Sequence, residues 1–405
     1  MVDSQDGSQQ DEVKEPVKPE NGKKIFLSHC NSYEGQALFK ALWNEDQFED
    51  APEDWKQDCV HTFTGTVRKE ERNAYGGFEE PPEGIKQLVD FERSEQFRQK
   101  LLESDVIIYD LMSNNFEEVD YVIKTLKTSD LKDEKTLVLL STVMTWVNTP
   151  PKFEEEKAEG DGEEEGGGAE EGEPEEESEE EPASEEEGKE PEPEEEEGAE
   201  EEIDPRTGQP VEIKKPLFFK ETDYHLRVPH PEFEHIKTLE TTAMSSVKTQ
   251  EKLRVHVLCS GIRYGNGERT FYDHMQKAWI QDPKALPIIG EGENLVPTIH
   301  VNDLANLVRR VVIEDPKVHP YIFAIDKTRN PTQKRLISFI SKGLGTGQVA
   351  NMEGDAVTDK NGWKEQLTIN LRMRASEAFK TIPLTEKEQE LEEEEQEALK
   401  KQKKF

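Results

Sequence analysis

The sequence predicts an α/β fold, a doubly wound parallel sheet, interrupted by one long acidic insertion. Short apolar runs alternate with helical patterns through residues 23–153 and again through residues 205–380. Strands of this kind, alternating with helices, imply parallel strands that helices cover on both faces. Between the two stretches, residues 154–204 are almost entirely Glu, Gly, Pro, Ala and Ser. We therefore expect one domain, formed by 23–153 and 205–380, with the insertion leaving one of its loops.

The strands of this domain are predicted from apolar runs that are continuous or alternate with polar residues. They are KKIFLS at 23–28, VHTFTGTV at 60–67, DVIIYDL at 105–111, KTLVLLSTVMTW at 135–146, KLRVHVLCSGIRYG at 252–265 and PYIFAID at 320–326. The helices between them have apolar residues three and four positions apart. They are EGQALFKALW at 34–43, SEQFRQKLLESD at 94–105, EEVDYVIKTLK at 117–127, HPEFEHIKTLETTAMSSV at 230–247 and VNDLANLVRRVV at 301–312.

Most of the acidity of the chain lies in the insertion. Residues 154–204 hold 30 acidic residues against two lysines, which gives −28 of the formal net charge of −39. Like charges repel and almost nothing apolar can be buried, so we expect this segment to be disordered. It is either a solvated spacer or an acidic segment that attracts a basic partner. On the same grounds residues 1–22 are expected to form a disordered acidic tail, and residues 381–405 a charged helix or tail.

The composition also argues against several classes of function. A strongly acidic chain lacks the basic footprint of a nucleic-acid-binding protein. No apolar run reaches the roughly 18 residues of a membrane span, and the first twenty residues are too polar and acidic for a secretory signal. Cys30, Cys59 and Cys259 lie far apart, which favours reduced thiols in the cytoplasm and predicts neither a metal site nor a disulfide framework.

Five segments in order carry a resemblance to a known family. They are FLSHCNSYEGQAL, VHTFTGTV, LSTVMTW, FEHIK and the pair LCSGIRYGNG with PIIGEGENLVPTIHVNDLAN. Together they resemble the extended short-chain dehydrogenase/reductase family, whose fold is a Rossmann-like NAD(P)-binding domain. The resemblance implies a cofactor crevice at the carboxyl ends of the strands. It also implies that the insertion, which follows LSTVMTW, leaves the domain on the side of that crevice.

Several chemical residues of that family are replaced in this sequence. Its glycine-rich turn has the form TGxxGxxG, and aligned on Gly35 the first two glycines become His29 and Ser32. The retained glycine serves helix–strand packing more than phosphate contact, although the helix N-terminus could still attract an anion. After the second strand, Arg68 and Lys69 stand where an acidic ribose ligand is expected. An arginine there suits a 2′-phosphate or is simply a surface residue.

The catalytic positions show the same loss. Ser141 or Thr142 occupies the family's hydroxyl position. The Tyr-x-x-x-Lys pair that would transfer a proton is best matched by Phe233 and Lys237, and phenylalanine has no hydroxyl. A register with Ile236 and Glu240 at the two positions is equally unsuitable.

The last pair of segments, LCSGIRYGNG and PIIGEGENLVPTIHVNDLAN, also lacks residues that the family uses for its chemistry. The family's Arg-Pro has become Cys259-Ser260, and the phosphate-binding arginine expected near Val296 is missing. Asp303 is interpreted as a helix cap. The residues that set the architecture are therefore retained, whereas those that perform chemistry are lost.

A narrower resemblance adds a cellular setting. The strings DVIIYDL, LLSTVMTW and VPTIHVNDLA resemble the N-terminal domain of a family of ciliary adenylate kinases, in which a nucleotide kinase domain follows. The phosphate-binding motif Gly-x-x-x-x-Gly-Lys-Ser/Thr does not occur in this sequence, so we expect no phosphate transfer by the adenylate kinase mechanism. The chain is then a truncated product, part of a split gene or a stand-alone relative.

These observations favour a non-catalytic Rossmann-like scaffold or interaction protein of motile cilia or flagella. Its location would be cytoplasmic, in the axoneme, and its partners axonemal proteins. Two alternatives remain: an NAD(P)- or nucleotide-binding sensor or weak oxidoreductase, and an accessory partner for adenylate kinase activity supplied by another chain. We expect no catalytic residues, no metal site and no cofactor. If NAD(P) does bind, the vestigial site comprises Ser32, Gly35, Ser141, Thr142 and Lys237.

Overall fold

The fold is described from a computed structural model of the whole chain. It describes residues 21–45, 58–68, 80–92, 94–113, 116–153, 202–203, 210–211, 216–267, 270–313, 318–328, 330–353 and 363–381. The expected tails, 1–22 and 381–405, lie outside these ranges except for residues 21, 22 and 381. The expected disordered insertion, 154–204, lies outside them except for residues 202–203.

Thirteen strands are found in the described part of the chain. They are β1 (Lys24–Leu27), β2 (Thr62–Gly65), β3 (Gln87–Leu88), β4 (Val106–Asp110), β5 (Lys135–Thr142), β6 (Glu202–Ile203), β7 (Pro210–Val211), β8 (Leu253–Ser260), β9 (Ile262–Tyr264), β10 (Ala285–Ile289), β11 (Thr298–His300), β12 (Tyr321–Ala324) and β13 (Gln348–Met352).

The α-helices pack around these strands and are mostly ten to thirteen residues long. They are α1 (Tyr33–Leu42), α2 (Ser94–Glu103), α3 (Phe116–Thr128), α4 (Glu234–Ser246), α5 (Tyr272–Ile280), α6 (Val301–Ile313), α7 (Gln333–Leu344) and α8 (Trp363–Leu367). Short 3₁₀ helices include Val143–Trp146, Glu221–Leu226 and Pro231–Phe233.

Seven strands form one parallel sheet, in the order β12-β8-β5-β4-β1-β2-β3. From β1, the chain first builds β2 and β3 on one side and then β4, β5, β8 and β12 on the other. The strand order therefore reverses between β1 and β4, which is the topological switch point of a doubly wound fold. This confirms the predicted fold class.

The sheet separates two apolar cores because alternate residues of a strand point to opposite faces. On one face Phe26, Ile107 and Leu139 pack against helices α2, α3 and α4. On the other face Ile108 and Leu140 pack against helices α1 and α6. Both faces of the central strands are therefore buried away from water, which explains why the sequences of β4 and β5 are continuously apolar.

One edge of the sheet is covered by a polar group from a 3₁₀ helix. The Glu221 side chain, at the start of Glu221–Leu226, accepts a hydrogen bond of 2.9 Å from the backbone N–H of Phe323 in β12. The N–H of Ser376 donates to the carbonyl oxygen of the same Phe323. These contacts satisfy backbone groups that would otherwise offer an open strand edge to another chain.

Some predicted elements were too long or were missed. The run predicted as one strand at 135–146 ends as a strand at Thr142, because that side chain accepts from the N–H of Met144 and caps the 3₁₀ turn that follows. The run at 252–265 is two strands, β8 and β9. The strands β3, β10, β11 and β13 and the helices α5, α7 and α8 were not predicted.

The chain divides into two compact units. The first comprises residues 1–150 and 218–405 and contains the seven-stranded sheet. The second, residues 151–217, contains the antiparallel pair β6–β7, in which Glu202 lies opposite Val211. Within the described ranges, no helix has both the length and the apolar character needed to cross a membrane.

Candidate functional site

The candidate site lies where β1, β4, β5 and β8 end at their carboxyl edge. In open α/β sheets ligands bind outside these ends, at the switch point between strands such as β1 and β4. The loop after β1 leads into helix α1, and the segment after β8 leads into β9 and returns across the same edge. Side chains from these segments decide what the crevice can hold.

The turn between β1 and α1 keeps its backbone shape without its glycines. His29 has a φ of 42°, in the left-handed region that favours glycine. Ser32 is the N-cap of α1, and its hydroxyl accepts a hydrogen bond of 3.0 Å from the N–H of Gly35. A Cβ on Gly35 would lie 2.4 Å from the carbonyl oxygen of His29. Gly35 is therefore needed for close packing of helix on turn, the role expected from the sequence.

Arg263 lies inside the crevice and joins the ends of three strands to helix α1. Its Nη2 lies 2.9 Å from Asp110 Oδ1 at the end of β4, and its Nη1 lies 3.2 Å from Glu34 Oε1 in the first turn of α1. It also donates to the carbonyl oxygen of Ser141 at 3.3 Å and to the hydroxyl of Ser260 at 3.1 Å. One guanidinium thus connects four segments of the crevice.

The ion pairs of Arg263 are formed away from water. The side chain of Arg263 is 9% exposed, and those of Glu34 and Asp110 are 10% and 5% exposed. Burial alone would lower the pKa of Arg263, but Asp110 and Glu34 overcome this and raise it above its ordinary value. A charge-assisted contact of this kind is strong because the guanidinium cannot lose its proton and its partners are desolvated.

Glu34 places a carboxylate where a phosphate would otherwise bind. A helix N-terminus attracts anions through its free N–H groups and the helix dipole. In α1 that position is taken by an acid of the chain itself, and its charge is matched by Arg263.

A second contact holds the β9 segment against α1. The hydroxyl of Tyr33 donates to the carbonyl oxygen of Gly265, one residue beyond β9. Together with the pair between Glu34 and Arg263, this contact joins the first turn of α1 to the β9 segment at two neighbouring points. In a dinucleotide-binding protein the pyrophosphate lies against this first turn.

The predicted hydroxyl residues serve the structure. Ser141 is fully buried and donates a hydrogen bond to the carboxylate of Glu240 on α4. Thr142 caps the 3₁₀ turn at 143–146, as described above. Both hydroxyls are therefore engaged in hydrogen bonds within the fold.

The helix expected to carry Tyr-x-x-x-Lys presents Glu240 and Ile236 to the interior. Glu240 is fully buried and its Oε2 lies 2.7 Å from Nε of Arg227, which is itself 3% exposed. Ile236 is buried in the core beside it. Lys237 is half-buried, and its carbonyl oxygen accepts a hydrogen bond of 2.8 Å from the side-chain hydroxyl of Thr241. The hydroxyl of Ser141 is bonded to Glu240 of the same helix and not to Lys237.

The buried pair between Arg227 and Glu240 belongs to an aromatic environment. The Arg227 guanidinium lies 5.6 Å from the ring centroid of Tyr224 and 5.3 Å from that of Tyr321. Burial raises the pKa of Glu240, although Arg227 and the hydrogen bond from Ser141 oppose the shift. Burial also raises the pKa of Cys259 above its ordinary range, which makes this thiol a poor nucleophile.

The residues present do not fit the pyrophosphate of NAD(P). Its place at the α1 N-terminus holds the carboxylate of Glu34, which would repel it. The cation at the ends of β4, β5 and β8, Arg263, is already paired with two carboxylates. The left-handed backbone of His29 carries a side chain where the family has glycine. In addition, the described ranges contain no cluster of three or more His, Cys, Asp or Glu side chains that could hold a metal ion.

Comparisons with known proteins agree with this description. No protein-family model matches the chain. Adenylate kinase 7 of Mus musculus is 27% identical to it over 283 residues, 68% of this chain and 36% of that protein. The chain is similar to adenylate kinase 7. The Macaca fascicularis protein is 33% identical over 128 residues, 31% of this chain and 24% of that protein.

The chain therefore spans about a third or less of the adenylate kinase 7 proteins that it matches. Among solved structures, dTDP-glucose 4,6-dehydratase of Bacillus anthracis, in complex with NAD, is similar with a TM-score of 0.51 and 12% identity, covering 89% of each chain. UDP-N-acetylglucosamine 4-epimerase of Methanobrevibacter ruminantium is similar with a TM-score of 0.51 and 11% identity. The match covers 90% of this chain and 93% of the other. At this identity the likeness shows the Rossmann-like fold.

The residues that decide the site were mostly missed from the sequence. Arg263, Asp110 and Glu34 were not singled out, although an acid in the first turn of α1 was visible as a replacement for an anion-binding turn. Glu240 was considered only as an unsuitable match to the lysine, and Arg227 not at all. Arg263 lies 153 residues from Asp110 along the chain, so no local pattern could have paired them.

Proposed function

We propose that this chain is a non-catalytic, Rossmann-like scaffold or interaction protein of the axoneme of motile cilia or flagella. The observation that carries the first half of the proposal is the closure of the cofactor crevice by Arg263, Glu34 and Asp110. These three side chains are buried at the strand ends where a dinucleotide would bind, and their charges are paired with one another. Loss of the Tyr-x-x-x-Lys pair, whose helix presents Glu240 and Ile236 instead, supports it independently.

The cellular half of the proposal rests on similarity. The chain is similar to adenylate kinase 7 of Mus musculus over 68% of its own length, and the strings DVIIYDL, LLSTVMTW and VPTIHVNDLA resemble the N-terminal domain of a ciliary adenylate kinase family. Its partners would then be axonemal proteins. The acidic segment 154–204 would attract a basic partner or act as a spacer.

Two experiments test the halves separately. Purified chain should consume no NADPH with aldehydes, ketones or nucleotide sugars above the rate without protein, and turnover at an ordinary enzyme rate would contradict the non-catalytic half. Crosslinking mass spectrometry on isolated axonemes should recover crosslinks between this chain and axonemal proteins. Recovery of the chain only in the soluble fraction, without such crosslinks, would contradict the cellular half.

The competing function is an NAD(P)- or nucleotide-binding sensor. The fold favours it in general terms, because the same architecture in the dehydratase structure is in complex with NAD. Against it stand the acid at the α1 N-terminus and the paired state of Arg263. The remaining alternative is an accessory partner for adenylate kinase activity that another chain supplies. This function would require a kinase polypeptide that co-purifies with this chain from axonemes.

A further inference from the structure

Two arginine side chains lie on the same phenylalanine ring. The guanidinium carbon of Arg372 lies 4.8 Å from the ring centroid of Phe218, and that of Arg374 lies 4.6 Å from it. Cation–π attraction holds a guanidinium over such a ring, and the N–H groups at the edge of the guanidinium stay available to an anion. Both arginines therefore share one face with Phe218.

The pairing of two extended segments brings these side chains together. Phe219 and Met373 are parallel bridge partners, and the N–H of Phe219 donates a hydrogen bond of 2.9 Å to the carbonyl oxygen of Arg372. The Phe219 and Met373 side chains are buried. Their chain neighbours point to the opposite side, because side chains alternate along an extended chain. The outer side is formed by Phe218, Lys220, Arg372 and Arg374, which we call the arginine–phenylalanine surface.

The two arginines on this surface lack the carboxylate partners that other arginines of the fold have. Arg227, Arg254 and Arg263 each form an ion pair. In the part of the chain that the structure describes, neither Arg372 nor Arg374 pairs with a carboxylate, and Nε of Arg372 is buried without a hydrogen-bond partner. Two like charges on one ring repel each other, so an anion from outside would pair with both and relieve this repulsion.

The acids beside the arginine–phenylalanine surface are engaged elsewhere. Glu221 accepts a hydrogen bond of 2.9 Å from a backbone N–H of β12, and Asp223 accepts one of 2.9 Å from the N–H of Lys220. Glu377 has an interaction partner as well. The positive charge of this surface therefore comes from its own three cations and does not depend on the net charge of the chain.

We infer that the arginine–phenylalanine surface binds an extended acidic segment of a partner protein, with an acidic residue at every second position. Residues two apart on an extended chain are about 6.6 Å apart and point to the same side. Arg372 and Arg374 are two residues apart, so carboxylates at positions i and i+2 of the partner can pair with both, as in cross-strand ion pairs. Phe218 orients the two guanidiniums. This inference rests on the proposed interaction function and deepens it by naming the chemistry of one partner.

The test uses the full chain and two fluorescent peptides of equal composition and charge. One peptide repeats Glu-Thr four times. The other repeats Glu-Glu-Thr-Thr twice, so that it has no two glutamates at positions i and i+2. Fluorescence anisotropy is measured at about 150 mM salt, where a Debye length of about 8 Å limits charge effects to neighbouring groups. The alternating peptide should bind about fivefold more tightly, because both of its carboxylates meet a cation.

Substitutions test whether the two arginines act together. Arg372→Gln and Arg374→Gln should each remove most of the preference for the alternating peptide, because one carboxylate then loses its cation. Arg335→Gln is the matched control, because the Arg335 guanidinium lies 5.7 Å from the ring centroid of Phe339 as a single arginine on a single ring. It removes the same charge and should leave the preference unchanged. Phe218→Leu should weaken binding of the alternating peptide, because the guanidiniums lose the ring that orients them.

Three results would overturn the inference directly: no binding of either peptide, equal affinity for both, or equal effects of Arg374→Gln and Arg335→Gln. Two further results would overturn it by assigning another occupant. Tighter binding of a peptide with a single phosphoserine than of the alternating peptide would assign the surface to a phosphoryl group. Binding of the alternating peptide only to a variant that lacks residues 154–204 would assign the surface to that acidic segment.

Circular dichroism of each variant shows whether its fold is retained. Arg374 is exposed, so its substitution removes little packing and keeps the test decisive. None of these outcomes depends on nucleotide binding or turnover. Failure of this inference is therefore distinguishable from failure of the non-catalytic proposal.

Discussion

Arg263 Nη2 lies 2.9 Å from Asp110 Oδ1, across the point where a Rossmann-like sheet normally receives its ligand. The same guanidinium pairs with Glu34 at the N-terminus of α1. The charge of Arg263 is therefore matched by two carboxylates of the chain itself. Removal of any one partner would leave a buried charge unpaired.

Arg263→Ala should lower the free energy of unfolding by about 3–5 kcal/mol, because it leaves the carboxylates of Glu34 and Asp110 buried without their partner. Chemical denaturation at neutral pH measures this. Arg254→Ala is the matched control: its ion pair with Glu134 is 2.7 Å long but exposed, at 44% and 70%. Its loss should cost less than about 1 kcal/mol. Equal costs for the two variants would show that Arg263 does not act through its buried pairs.

For the second buried ion pair, between Arg227 and Glu240, we expect the losses of unfolding free energy on substitution to be non-additive. Glu240→Leu alone should destabilise the fold by about 3–5 kcal/mol, because Arg227 then remains buried without its carboxylate. The double substitution Arg227→Met with Glu240→Leu should recover much of that loss. A double-mutant cycle by chemical denaturation measures the coupling, and additive losses would contradict the pairing.

The structure explains which parts of this fold the sequence could predict. The strands β4 and β5 are flanked by helices on both faces, so their apolar runs were unmistakable. β3 has only two residues and β13 is mostly exposed, so neither has an apolar pattern to detect. The closed crevice could not be predicted because its ion pairs join residues that are remote in sequence. The sequence did show that family residues are replaced, such as the turn glycines at His29 and Ser32 and the tyrosine at Phe233.

Asp326 predicts a pH dependence of stability. Burial raises its pKa to about 6, although hydrogen bonds from Thr298 and Tyr264 oppose the shift. The folded state then binds this proton more tightly than the unfolded state does, so its contribution to stability is complete below about pH 4 and is lost as pH rises to about 6. Asp326→Asn should remove this loss, which is about 3 kcal/mol for a shift of this size. Denaturation at several pH values between about 4 and 7 measures it; parallel curves for both proteins would contradict the assignment.

Titration of His61 should change the stability of the fold with pH in the opposite direction to Asp326, over an overlapping pH range. Burial, with the charges of Lys23 and Arg309, lowers its pKa to about 4. Its neutral ring accepts a hydrogen bond of 3.0 Å from the N–H of Lys23. The folded state disfavours the proton, so the contribution of His61 to stability should be lost as pH falls from about 6.5 to about 4. His61→Asn retains an acceptor and should lose less over that interval. A variant that follows the wild type throughout would rule out His61 as the cause.

This chain combines a Rossmann-like fold with buried, paired charges at the strand ends where a dinucleotide would bind. Titration calorimetry of the full chain with NADH and NADPH is the decisive measurement. We expect no heat of binding for either nucleotide up to millimolar concentration. Saturable binding with a micromolar dissociation constant, weakened by a substitution at Gly35, would instead show that the crevice accepts a dinucleotide.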